Sequence, residues 1–163
     1  MIVGAIRRRA AALVLAGTGL AGAAQAGTDT DTLTVTATVQ SGCALTGGAL
    51  DFGQYTAGQA TNLDAVGAIN YTNCGPGTLT FELDGGGSAN VADRQMSSGA
   101  NKLKYQIFRD ANRSANWSTG ANAKQQQLLV TQSGKIDVYG RIPSGQVVPA
   151  GSYADTVTVT LTF

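Results

Sequence analysis

Residues 32–39 read TLTVTATV, which puts Leu33, Val35, Ala37 and Val39 on one face of an extended chain and Thr32, Thr34, Thr36 and Thr38 on the other. A period of two held over eight residues, mostly of β-branched type, predicts a half-buried strand. Alternation by itself leaves open whether that strand belongs to its own domain or to a neighbouring copy.

The far end of the chain carries the same signature. Between Tyr153 and Phe163, the side chains of Val157, Val159, Leu161 and Phe163 oppose Thr156, Thr158, Thr160 and Thr162. An inner face this apolar needs a neighbour on each side, and the sequence after Phe163 supplies none. The expectation is an uncovered, uncharged, proline-free edge, which is a template for strand addition. Further strands are expected at Leu50–Tyr55, Ala68–Asn73, Thr78–Leu83 (Leu79, Phe81 and Leu83 on one face), Lys102–Arg109 (Leu103, Tyr105, Ile107) and Lys135–Ile142 (Ile136, Val138, Gly140, Ile142). With Tyr153–Phe163 these make six core strands besides the N-terminal one, and no helical period competes with them. Gly85-Gly86-Gly87 forces a turn. The polar stretch from Asp110 to Gln127 reads as a surface excursion, with Trp117 either anchoring it to the core or serving as a ligand platform.

The first residues have the layout of a secretory signal: Arg7, Arg8 and Arg9, an apolar run from Ala10 to about Ala24, and the small-residue site Ala24-Gln25-Ala26. Cleavage there takes 26 of the 163 residues and leaves 137, enough for one domain with a single core. Eight basic residues then face ten acidic ones, a net charge of −2 that offers nothing to nucleic acid. The apolar run is too short to span comfortably, and no later stretch approaches the roughly 20 apolar residues of a transmembrane helix. An exported product is expected, and in an oxidising compartment its two cysteines, Cys43 and Cys74, should form a disulfide.

Catalytic chemistry finds little footing in this composition. The chain has no histidine, which removes Ser-His, Cys-His and His-metal arrangements. Asp29 and Asp31 fall in a solvated N-terminal tail, and Asp51, Asp84, Asp93, Asp110, Asp137 and Asp155 fall at strand ends or turns, where Asp commonly bonds to the backbone. The glycine run lacks the helix and the Gly-Lys-Ser/Thr triplet of a phosphate loop. No catalytic residue, metal site or cofactor is expected.

Six motifs in order, TVTATVQSGC ending at Cys43, LDFGQY from Leu50, YTNC ending at Cys74, LKYQIFRD from Leu103, VYGRIP from Val138 and PAGSYADTVTVTLTF from Pro149, resemble the spore coat protein U domain, the subunit family of archaic, Csu-type chaperone-usher pili. The resemblance implies an all-β, incomplete immunoglobulin-like β-sandwich that lacks its final strand. It divides the chain into a signal peptide (1–26), an N-terminal extension or donor strand (27–41) and a pilin domain (42–163). It implies that Leu33, Val35, Ala37 and Val39 are donor side chains, that Val157, Val159, Leu161 and Phe163 form one wall of an acceptor groove, and that Cys43–Cys74 is structural. The partners implied are a periplasmic chaperone, an outer-membrane usher, and further copies or related pilin subunits in a surface fibre supporting adhesion and biofilm. Two other readings stand beside it: a secreted surface- or carbohydrate-binding module using the Trp117 loop, and a spore-coat or matrix protein of the same fold.

Overall fold

The computed structural model describes residues 28–39 and 42–163; the expected signal peptide lies outside the described residues. The chain divides into two units, residues 1–37 and 38–163. Residues 28–39 carry no regular secondary structure and every side chain among them is exposed, with Leu33, Val35 and Val39 at 88%, 83% and 93%. The strand expected over Thr32–Val39 is therefore not formed. Alternation encodes the capacity to sit in a sheet, but a strand exists only where its N–H and C=O groups meet a partner.

The second unit is built of eight strands among the described residues: β1 (Ala44–Ala49), β2 (Leu63–Cys74), β3 (Gly77–Leu83), β4 (Arg94–Ser98), β5 (Asn101–Phe108), β6 (Lys124–Leu128), β7 (Gln132–Ile142) and β8 (Val159–Thr162). They form two antiparallel sheets, ordered β1-β2-β7-β5-β4 and β6-β3-β8. The architecture is an all-β, immunoglobulin-like sandwich.

Alternation decides what fills it. Leu79, Phe81 and Leu83 of β3 meet Leu103, Tyr105 and Ile107 of β5, Ile136, Val138 and Ile142 of β7, and Ile69 and Tyr71 of β2 in one buried core. For β3, β5 and β7 these are the faces read from the period of two. Tyr71 and Phe81 join the sheets with ring centroids 5.8 Å apart.

Several boundaries differ from expectation, each for a local reason. Leu50–Tyr55 is irregular: Asp51 Oδ1 accepts the Gly53 N–H at 2.8 Å, bending the chain, and the strand lies just before it as β1. Leu50 and Phe52 fold over Gly140 of β7, where a Cβ would lie 2.7 and 2.6 Å from the ends of their side chains and would have to push them aside. The sequences of β1 (ALTGGA), β4 (RQMSS) and β6 (KQQQL) show little apolar alternation; all three are sheet-edge strands, β1 and β6 with much solvent-facing surface and β4 half-buried around the buried Arg94. That accounts for eight strands where six were expected. Ordered pairing of the last strand is confined to Val159–Thr162, because residues 153–158 cross between the sheets: Ala154 bridges to Ser97 of β4, and Thr158 lies beside Asp84 at the end of β3.

The polar excursion contains β6 and a loop fixed to the domain. Trp117 is fully buried, and its indole Nε1 donates to the Phe81 carbonyl at 2.8 Å. Arg113 donates to the carbonyls of Gly140 and Ala65, holding the same loop against β7 and β2.

Cys43 and Cys74 form a disulfide, tying the entry of β1 to the end of β2 across 31 residues. Closing a loop of that length in the unfolded chain corresponds to about 3 to 4 kcal/mol. Reduction is expected to lower stability by that amount, read as a drop in the urea midpoint; an unmoved midpoint would show the bridge to be dispensable.

Candidate functional site: an open groove between two sheet edges

Strand β1 pairs with β2 on one side, and β8 pairs with β3 on one side; among the described residues neither has a ladder partner on its other edge. Between these two edges lies an open cavity of about 640 Å³. Its floor is the inward face of the five-stranded sheet, with Ile69, Val138, Ile107, Tyr105 and Met96. One wall is β1 and its continuation, Leu45, Gly47 to Leu50 and Phe52; the other is the crossing segment Tyr153–Val157 followed by Val159.

The phase of the β3–β8 ladder determines what the free edge presents. Asp84 N–H donates to the Thr158 carbonyl at 3.2 Å, so the bonded pairs fall on the even residues of β8. Val159 and Leu161, and Val157 before them, thus direct N–H and C=O away from β3. Their side chains are half-buried against the core while those of Thr156, Thr158, Thr160 and Thr162 are exposed. Each apolar residue offers a side chain inward and a pair of backbone groups along the open edge.

Of the four residues expected on this wall, Val157 and Val159 line the cavity, Leu161 packs on the adjoining core, and Phe163 is 62% exposed. The opposite wall was not read from the sequence. Gly47, Gly48 and Ala49 carry no strand propensity.

A polar frame borders the groove. The Tyr105 hydroxyl donates to Asp155 Oδ2 at 2.6 Å, and Asp155 Oδ1 accepts the N–H groups of Gly87 and Thr156 at 2.8 and 2.9 Å. Asp84 Oδ1 accepts from Gly86 and Thr158 at 2.9 and 2.8 Å. Arg94 is fully buried; its guanidinium donates to the carbonyls of Asp84 at 2.7 Å and Trp117 at 2.9 Å. Burial pushes the Tyr105 hydroxyl far above its ordinary value, and the Asp155 carboxylate adds to the shift. Burial lowers the Arg94 guanidinium against the opposing pull of Tyr105, Asp84 and Asp155. For Asp84, burial acts upward, but hydrogen bonds from Thr158 and Gly86 and the charge of Arg94 outweigh it and hold the carboxyl below its usual range.

Among the described residues no group of three or more His, Cys, Asp or Glu could hold a metal ion, and no helix is long and apolar enough to cross a membrane. With its apolar floor, the half-buried Val157 and Val159 on one wall and two unpaired edges, the groove is suited to taking up an extended peptide.

The family model of the Spore Coat Protein U domain matches residues 29–160. Protein U of Myxococcus xanthus is 31% identical over 135 residues, covering 75% of each chain. Among solved structures, a chain in the chaperone–tip adhesion subunit pre-assembly complex from the archaic chaperone-usher Csu pili of Acinetobacter baumannii superposes with a TM-score of 0.52 at 24% identity. That match covers 74% of this chain and 39% of the other, and is a likeness of fold. The ordered motifs, the two-sheet sandwich and the family match over residues 29–160 lead to one conclusion: the chain belongs to the Spore Coat Protein U domain family.

Proposed function

We propose that the chain is a structural pilus subunit, acting by assembly rather than catalysis, whose residues 32–39 insert as a strand into the open groove of a neighbouring copy. The observation that carries this reading is the pairing of opposites in one sequence. The groove presents two free sheet edges and an apolar floor, while the N-terminal segment presents Leu33, Val35 and Val39 to solvent with no strand of their own. Insertion satisfies both: the segment gains ladder bonds from the groove edges, and its apolar face leaves water.

Burying each of Leu33, Val35 and Val39 contributes roughly 1.5 to 3 kcal/mol and Ala37 less, a gross term of about 5 to 9 kcal/mol, offset in part by ordering the strand. Residues 1–26 act as the export signal, 27–41 as the extension and 42–163 as the pilin domain. A periplasmic chaperone fills the groove before assembly and an outer-membrane usher exchanges it for the next subunit's extension, giving a surface fibre that supports adhesion and biofilm. The fold likeness to a chaperone-bound pilus subunit complex supports this order of events.

The binding-module reading loses its proposed contact, because the Trp117 ring is buried. A coat or matrix role, with the same fold but without chaperone-usher assembly, keeps support from the Spore Coat Protein U family match.

The test compares the exported chain with and without residues 27–41. The full chain is expected to form multimers that survive mild detergent. The shortened chain is expected to form none and to bind a synthetic peptide of residues 28–39. A full chain that stays monomeric and a shortened one that ignores the peptide would defeat the reading.

A further inference from the structure

The groove wall formed by residues 153–158 is not a ladder strand for most of its length, yet it borders the space an inserted strand must enter. Three clamps hold it. Ala154 exchanges two backbone bonds with Ser97 at 2.8 and 3.1 Å. Thr158 is bonded to Asp84 through both its N–H and its carbonyl. Between them Asp155 turns its carboxylate toward Tyr105 and Gly87.

The middle clamp differs in kind from the others. Tyr105 belongs to β5 on the groove floor, whereas Gly87 belongs to the turn that follows β3 of the opposite sheet. One carboxylate therefore links floor, wall and opposing sheet. The turn is shaped to receive it: Gly86 has a φ of +61°, and a Cβ there would lie 2.3 Å from Asp155 Oδ2. The glycine run that reads as a bare turn is the seat of this carboxylate.

We propose that Asp155, with Tyr105 as its strut, is a positioning residue that sets the gape of the groove and thereby the lifetime of an inserted strand. This rests on the strand-insertion function proposed above. A wall free to shift outward loses register with an inserted strand along Val157 and Val159, and dissociation quickens while the rest of the core stays packed.

The test uses the full exported chain, refolded with excess fluorescent peptide of residues 28–39, freed of unbound peptide and chased with unlabelled peptide. Tyr105→Phe keeps the ring and removes one hydroxyl; Asp155→Ala removes the carboxylate; Asp155→Asn keeps an acceptor. The first two are expected to release peptide about tenfold faster than the unaltered chain, the scale of one charge-assisted hydrogen bond. Asp155→Asn is expected to restore most of the retention. Ser133→Ala serves as a matched control, since it removes side-chain bonds to Thr72 and Asn73 that lie outside the groove lining. It is expected to lower the urea midpoint without hastening release. Unchanged release in Tyr105→Phe and Asp155→Ala, or equal acceleration by Ser133→Ala, overturns the inference alone. An unaltered chain that neither takes up peptide nor forms multimers overturns the strand-insertion reading and the inference with it.

Discussion

Ala37→Lys is expected to abolish assembly while leaving the domain folded and able to bind a chaperone. Ala37 is exposed and outside every strand, so the substitution touches nothing that holds the domain together. In the proposed junction the same position turns inward with Leu33, Val35 and Val39. Ala37 is the smallest of the four and should lie over the shallowest part of the groove. A lysine there overfills the space and brings an ammonium group to an apolar floor. The one carboxylate lining the cavity, Asp155, is already engaged by Tyr105, Gly87 and Thr156. An uncompensated buried charge costs several kcal/mol per junction, which weakens each link on the order of a thousandfold.

Thr36→Lys supplies the comparison, because the neighbouring residue faces outward in the same strand and should be tolerated. Electron microscopy of fibres and co-purification of the chaperone separate the outcomes. Normal fibres from Ala37→Lys, or equal loss from both variants, would remove Thr32–Val39 from the junction.

Trp117→Ala is expected to cost about 3 to 5 kcal/mol, a large share of the margin of a domain this size. The side chain is fully buried and supplies the hydrogen bond to the Phe81 carbonyl, while its own backbone carbonyl is one of the few partners of the buried Arg94 guanidinium. Alanine leaves a cavity and removes the indole N–H from the Phe81 carbonyl. Since Phe81 and Leu83 lie in β3, which carries β8, the damage reaches the groove. Urea unfolding with saturating peptide of residues 28–39 measures it, and a shift below about 1 kcal/mol would contradict the anchoring role.

Much of the fold was legible because alternation is a local property. Leu79, Phe81 and Leu83, or Leu103, Tyr105 and Ile107, announce their buried face without reference to any partner. The edges were not legible by that signal. In Gly47-Gly48-Ala49 and Gln125–Gln127 much of the surface faces water, and Gln95–Ser98 is half-buried but mostly polar, so no apolar period marks them, and their strand state comes from the ladder beside them. The groove shares this difficulty. Val157 and Val159 could be read as one wall, but the opposite wall is a glycine-rich edge, and its facing position across the core is a matter of topology.

The N-terminal segment shows where the division falls. Sequence alone determined that Thr32–Val39 can present one apolar face, that the last strand carries the same pattern, that no histidine is present for acid-base chemistry, and that two cysteines are available to pair. Only the tertiary structure decided that the segment has no strand in its own chain, that β1 and β8 both leave an edge open, and that Asp155 and the glycine turn brace the space between them. The physical reason is that side-chain periodicity is written residue by residue, whereas a strand's pairing depends on which backbone groups remain unpaired after all the others have found partners.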